Sequence, residues 1–210
     1  MAQFFSIHPD NPQARLIGQA VKIIRDGGVI VYPTDSCYAI GCQIGNKEAV
    51  DRIRHIRDVD DKHHFTLVCR DLSELATYAR VDNAQFRLLK SATPGCYTFL
   101  LMATKEVPRR LQHPKRNTIG LRVPQHSVVQ ALLAELGEPL LSSTLMLPGD
   151  EYPQTDPYEI RDLLEHQVDL VLDGGYCGME PTTVVDLTEN SPVLVRKGNG
   201  NLKPFGLEDV

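Results

Sequence analysis

Gly27-Gly28-Val29-Ile30-Val31-Tyr32-Pro33-Thr34-Asp35-Ser36-Cys37-Tyr38-Ala39-Ile40-Gly41 is the stretch around which this 210-residue chain is organised. The glycine pair ends a helix, because glycine takes the left-handed position after a helix without a Cβ clash. Val29 to Tyr32 is a short β-branched and aromatic run that reads as a buried strand. Pro33 then stops the ladder, having no N–H to donate. Thr34, Asp35 and Ser36 place three small polar side chains beyond the carboxyl end of that strand, where open α/β sheets bind ligands. Proline, aspartate and serine are also turn residues, so the stretch alone leaves a ligand loop and a plain turn both open.

Upstream, Asn11-Pro12 reads as the cap and first residue of a helix with Leu16, Ile17, Ala20, Val21, Ile23 and Ile24 in an apolar stripe. Downstream, Asn46, Asp71 and Asp82 read as helix caps, and residues 127–136 and 156–166 as further helices. Residues 65–69, 97–102, 118–123, 140–144, 168–172, 182–187 and 193–196 read as strands. Several strands follow one another directly, which predicts an α/β fold with a mixed sheet flanked by helices. One domain is expected over 1–210, with its core at about 12–197 and a Gly/Asn/Pro-rich mobile tail at 198–210.

With 42% apolar residues the chain can bury a full core. It holds no apolar run of about 18 residues and no basic segment leading an apolar one at its start, so no membrane partner is expected. Five cysteines, three of them in apolar runs, fit reduced thiols and a cytoplasmic location better than a disulfide framework. No Cys or His pair has zinc-site spacing, and the adjacent His63 and His64 point different ways, so no metal site is expected. The net charge of -5 argues against a protein coated in cations for nucleic acid. Yet residues 105–122 carry a local +5 and residues 148–173 a local -7, which fits one face for an anionic partner as well as two ordinary solvated surfaces.

No P-loop, dinucleotide fingerprint or nucleophile elbow is present. What remains is hydroxyls and cations near predicted strand ends: Thr34, Arg57, Thr118, Arg122, Ser142, Ser143, Thr144, Thr182, Thr183 and Arg196. Each has a plain structural reading alone. Converging on one cleft, they would suit a phosphate or carboxylate, since arginine offers fixed bidentate donors.

Four segments carry a family resemblance. Residues 32–41 resemble the Tyr-Pro-Thr-Asp/Glu-Thr-x-Tyr-Gly-Leu-Gly motif of the YrdC/YciO family. Thr118-Ile119-Gly120-Leu121-Arg122-Val123-Pro124, Pro181-Thr182-Thr183-Val184-Val185-Asp186 and Val193-Leu194-Val195-Arg196 follow in the family order. His8-Pro9-Asp10-Asn11-Pro12 and Leu145-Met146-Leu147-Pro148-Gly149 look closest to the YciO branch. The resemblance implies a YrdC-like twisted open sheet with a concave basic cleft. It implies ATP, with Mg²⁺, L-threonine and bicarbonate as ligands of a nucleotidyltransferase. That enzyme makes threonylcarbamoyl-AMP and pyrophosphate, and its product feeds the threonylcarbamoyladenosine modification of tRNA. Carried over, Thr34, Arg122 and Thr182 hold threonine, while Arg57, His63, Thr118, Ser142, Thr144 and Arg196 line the ATP side. Some relatives bind double-stranded RNA, and Arg109, Arg110, Lys115 and Arg116 are the candidates here.

Two departures matter. The family's Lys-x-Arg-Pro reads Arg57-Asp58-Val59-Asp60, so a phosphate-contacting arginine is replaced by Val59. The family's Ser-x-Asn reads Ser142-Ser143-Thr144. Loss of one guanidinium from a phosphate clamp costs roughly 10³-fold in rate in other enzymes. Lys62, His63 and His64 are near enough in sequence to compensate. Three readings stay open: an active synthase, a tRNA or double-stranded RNA-binding module with weakened or lost catalysis, and a related ligase that uses another amine.

Overall fold

The computed structural model describes residues 1–208. The helix before the opening stretch is α1, Ala14–Arg25, which buries Ile17, Ala20, Val21 and Ile24. It stops at Gly27, whose φ of 88° favours glycine. Its start differs from the sequence expectation. Gln13 holds the cap position, and Asn11 lies in a preceding turn where its N–H donates to His8 Nδ1 at 3.0 Å. The Gln13 side chain closes the same turn by accepting the His8 N–H at 3.0 Å.

The strands are β1 Gln3–Ser6, β2 Ile30–Tyr32, β3 Ala39–Gln43, β4 Thr66–Val68, β5 Tyr97–Met102, β6 Thr118–Arg122, β7 Leu140–Thr144, β8 Leu170–Asp173, β9 Thr183–Asp186 and β10 Val193–Arg196. The remaining helices are α2 Lys47–Arg57, α3 Leu72–Tyr78, α4 Asn83–Ala92, α5 Ser127–Leu136 and α6 Pro157–Leu164. Asn46, Asp71 and Asp82 cap α2, α3 and α4 through their side-chain oxygens, as their spacing to the apolar stripes requires. Among the described residues no helix is long and apolar enough to cross a membrane.

All ten strands form one sheet in the order β1-β8-β2-β3-β7-β4-β6-β5-β9-β10. β1, β8 and β2 run parallel, as do β4 with β6 and β5 with β9, while the other pairings are antiparallel. The sheet is therefore mixed, and it has no common carboxyl edge of the kind that holds ligands in doubly wound folds.

Side chains alternate between its faces, and the two faces are covered unequally. On one face Val31, Ile40, Leu67, Phe99, Leu121, Leu141, Val171 and Val185 join apolar residues of α2, α3, α4 and α6 in one continuous core. On the other, Ile30, Tyr32, Ala39, Val68, Leu140, Leu170 and Leu172 pack against α1 and α5. That second layer reaches only part of the sheet.

The residues after 197 pack against the core where the composition predicts a mobile tail. A short 3₁₀ turn, Lys203–Phe205, buries Phe205, whose ring lies 5.4 Å from Tyr97 and 5.9 Å from Phe99. Leu202 is buried too, and the Tyr97 hydroxyl donates to Asn201 O at 2.9 Å. Positions 209 and 210 of that expected tail lie outside the described residues.

Candidate functional site

Where α1 and α5 stop covering the sheet, the bare face becomes the floor of a cleft of about 790 Å³. Thr66 of β4, Gly120 of β6, Thr98 and Leu100 of β5 and Val184 of β9 line it. Strand register sets Ser142 opposite Thr66, Thr66 opposite Gly120, Gly120 opposite Leu100 and Thr98 opposite Val184, so the floor is one contiguous patch. The same strands bury leucine, phenylalanine and valine on the opposite face. A face closed by a helix would need apolar side chains there as well; hydroxyls and glycine suit a polar occupant.

Three guanidiniums stand around this floor, each at the last residue of an element. Arg122 ends β6, Arg57 ends α2 and Arg196 ends β10, and all three line the cleft. Arg122 Nη2 donates to Asp35 Oδ1 and, at 3.3 Å, to Ser36 Oγ. Its Nε is buried and has no partner. Arg196 Nη2 donates to Thr182 O at 2.9 Å, and the Thr182 and Thr98 hydroxyls are 2.8 Å apart. Arg57 donates through Nε to Met146 O at 3.2 Å and through Nη1 to Ser143 Oγ. Burial lowers the pKa of Arg57 and of Arg196, so each cation is short of water and an anion in the cleft would stabilise it.

His63 completes the Arg57 corner. Its Nε2 lies 3.1 Å from Arg57 Nη1 and 2.9 Å from Ser143 Oγ, and its ring meets Phe65 edge-on at 5.2 Å. A guanidinium only donates, so Nε2 accepts and the ring proton sits on Nδ1. Burial first, and the Arg57 charge second, push the His63 pKa down to about 4. On the facing side Tyr32 is fully buried, and its hydroxyl is 2.6 Å from Ser142 Oγ. Burial pushes its pKa up to about 12, so the phenol keeps its proton.

Arg57, His63, Arg122, Ser142, Ser143, Thr144, Thr182 and Arg196, all singled out in the sequence, meet in this one cleft. Thr34, Thr118 and Thr183 do not line it. The Thr34 hydroxyl closes its own turn, donating to Cys37 O at 2.6 Å and accepting Ser36 N–H at 3.1 Å. From its turn, Asp35 rather than Thr34 bonds the cleft residue Arg122. Thr118 shares the face of Gly120 and Arg122 but starts the strand, paired with Met102 beyond the floor. Val59 is outside the lining, so no side chain stands in for a second arginine at that position.

The basic stretch is already partly engaged. Arg110 Nη2 donates to Gly45 O at 2.6 Å, and Arg116 Nη1 lies 3.5 Å from Asp186 Oδ2. Arg109 and Lys115 are exposed. His113 stacks on His64 at 5.0 Å between ring centroids, which ties this stretch to the cleft wall. The sequence reading missed the floor residues Thr66, Thr98 and Gly120 and the wall residues Glu151 and Glu180. β6 had a signal in the alternation of Thr118 and Gly120 with the core residues Ile119 and Leu121; the glutamates had none.

The fold and the cleft define a mixed α/β protein whose bare half-sheet carries hydroxyls ringed by guanidiniums. Residues 22–198 match the family Sua5_yciO_yrdC, described as "Telomere recombination", and the chain belongs to that family. It is 64% identical to YciO of Escherichia coli K12 across 98% of this chain and all of that one. The crystal structure of E. coli YciO superposes with a TM-score of 0.94 over the same shares. A threonylcarbamoyl-AMP synthase of Chromobacterium violaceum is 33% identical over 70% of this chain and 76% of its own length. The crystal structure of P. abyssi Sua5 complexed with L-threonine shares the fold at a TM-score of 0.85 and 24% identity, covering 93% of this chain and 57% of that one.

Proposed function

We propose that the cleft binds ATP and L-threonine and, with bicarbonate, forms threonylcarbamoyl-AMP with release of pyrophosphate. The observation that carries this reading is Arg122. A buried guanidinium that lines the cleft beside a floor of hydroxyls, with its Nε left without a partner, suits a carboxylate or phosphate. A carbamate oxygen attacking the α-phosphorus spreads negative charge toward pyrophosphate, and Arg57 and Arg196 stand where such charge is stabilised. Family membership and the synthase relative support the same chemistry. Threonine in place of the family's asparagine at 144 leaves a hydroxyl on the ATP side.

Mg²⁺ fits the residues present. It binds oxygen and is usually held by one or two carboxylates plus substrate phosphates. Glu151 and Glu180 on the cleft wall can supply the carboxylates, and the phosphates the rest. When bound, the ion would neutralise phosphate charge.

A pyrophosphate-release assay with ATP, threonine and bicarbonate tests this reading. Release above a boiled control at saturating threonine is expected, and its absence at every threonine concentration would remove it. ATP should also raise the melting temperature, since a ligand at a hundred times its Kd adds ~2.7 kcal/mol. A panel of other amino acids in the same melting experiment separates threonine from another amine.

A second reading, binding of tRNA or double-stranded RNA, is supported by the exposed Arg109 and Lys115 beside the cleft. It requires binding that weakens as salt rises, with a slope that falls by about one for each phosphate-contacting cation removed.

A further inference from the structure

We propose that the chain holds a second small-molecule site, at the carboxyl ends of β4 and β6, which takes an anion with an apolar body: a carboxylate or a phosphate ester. The proposal stands apart from the ATP reading, because no residue lines both this cavity and the cleft.

Topology builds the cavity. The sheet as a whole has no common carboxyl edge, but β4 and β6 are parallel neighbours and have one of their own. β4 runs through Arg70 and Asp71 into α3, whose Leu75 packs in the core on one face of the sheet. β6 runs through residues 123–126 into α5, which packs against the other face. Where two adjacent parallel strands send their connections to opposite faces, the loops part and leave a crevice, and open α/β sheets hold ligands at such a switch point. Thr93 and Pro94, after α4, add a third wall. The result is a cavity of about 480 Å³, a size common among small-molecule sites.

Its chemistry is one-sided. Leu72, Pro94, Val123 and Pro124 supply the apolar share. The carbonyls beside them are already engaged: Val123 O accepts the Gly95 N–H at 2.9 Å, and Pro124 O accepts a side-chain N–H of Gln130 at 3.0 Å. Asp71, the one carboxylate in the lining, is engaged as well. Its Oδ1 accepts the Glu74 N–H at 2.8 Å, and its Oδ2 accepts Arg70 Nε–H at 3.3 Å.

What remains for a ligand is positive or donating. His126 Nδ1 accepts the Val128 N–H at 3.3 Å. Burial lowers the His126 pKa, so the ring is neutral and its proton sits on Nε2 as a donor. The terminal nitrogens of Arg70 and the Lys90 ammonium line the same cavity. Two cations and an imidazole N–H over an apolar floor select a negative head on an apolar body. A cation of the same shape meets two like charges and is rejected.

Amide NMR of the full chain labelled with nitrogen-15 tests this, with benzoate, phenyl phosphate and benzamidine as probes. Benzoate or phenyl phosphate should shift the amides of Arg70, Leu72, Gln125 and Ser127 saturably, and benzamidine should not. The tighter of the two anions tells a carboxylate site from a phosphate site. The amides of Thr66 and Gly120 report the cleft separately, so phosphate bound there is not counted. Arg70→Glu combined with Lys90→Glu should weaken the anions by roughly tenfold or more, the worth of a hydrogen bond to a charged group. Lys90→Gln, at an exposed position, should weaken them by a smaller factor and serves if the double variant does not fold. The proposal is overturned if neither anion shifts these amides at millimolar concentration, if benzamidine shifts them as strongly, or if the charge-reversed chain binds as the native one does.

Discussion

Asp35 and Arg122, 87 residues apart, form an ion pair whose side chains are only 9% and 10% exposed. Asp35 Oδ2 also accepts the Gln125 N–H at 2.8 Å. The turn after β2 is thereby latched to the end of β6, and Arg122 is held with Nη2 engaged and Nε buried without a partner.

Breaking that latch on one side should cost more than removing it altogether. Asp35→Ala leaves a buried guanidinium uncompensated, and such losses cost about 3–5 kcal/mol. Asp35→Leu combined with Arg122→Met should cost less than the two single changes summed, with a coupling energy of at least ~1 kcal/mol in a double-mutant cycle. Urea unfolding of the four proteins measures it. Additive losses would mean that the pair contributes no mutual stabilisation.

His63 makes the stability depend on pH in a defined window. Its folded pKa of about 4 lies below the ordinary 6.5, so between those values the unfolded chain binds the extra proton. Stability therefore rises with pH through that window, levels off above 6.5, and is lost as pH falls toward 4. His63→Gln keeps an acceptor for Arg57 and removes the titration. Its stability curve should be flatter between pH 4 and 6.5 than that of the native chain. Some slope should persist, because burial also lowers His64 and His126. Identical acid limbs in the two proteins would show that His63 titrates normally.

Much of this was readable in order along the chain, because local rules act locally. Gly27 stopped α1, the three Asx caps started their helices, and 127–136, 140–144 and 193–196 formed where their patterns placed them. β1 was missed because four residues at a sheet edge carry too little periodicity, and it exists through its pairing with β8. Asn11 misled because a cap residue also suits the turn that His8 and Gln13 close. In the site, cations and hydroxyls at strand ends were visible as residue types. Their convergence was not, since strand order in the sheet decides it. Thr34 shows the limit: a threonine beside a turn satisfies its own backbone before any ligand.

Phe205 should matter more than its place in a Gly/Asn/Pro-rich segment suggests. It is buried among Tyr97 and Phe99, and truncating a buried phenylalanine costs 3–5 kcal/mol in well-packed cores. The segment is short and near the surface, so Phe205→Ala should fall toward the lower end, near 3 kcal/mol. Chemical denaturation with the slope held constant reads it. A loss under about 0.5 kcal/mol would mean that this turn detaches freely.

Gly120 separates a floor made for a ligand from a glycine kept for packing. A Cβ there would lie 3.1 Å from Thr66 Oγ1 and 3.3 Å from Thr98 Cγ2, both of them side chains that can shift by a few tenths of an ångström. Its backbone is not in the left-handed region, so an L side chain meets no strain of that kind. Gly120→Ala should cost roughly 1 kcal/mol as mild overpacking. Gly120→Val should still fold, because its extra methyl groups enter open space. They do so in the middle of the floor, however, between Thr66 and Thr98, where a bound nucleotide or amino acid must lie if the cleft is the site. The valine variant should therefore lose most of the ATP-induced rise in melting temperature while its far-UV circular dichroism matches the native chain. If it keeps the full ATP shift, the ligand rests elsewhere and the hydroxyl floor has no part in holding it.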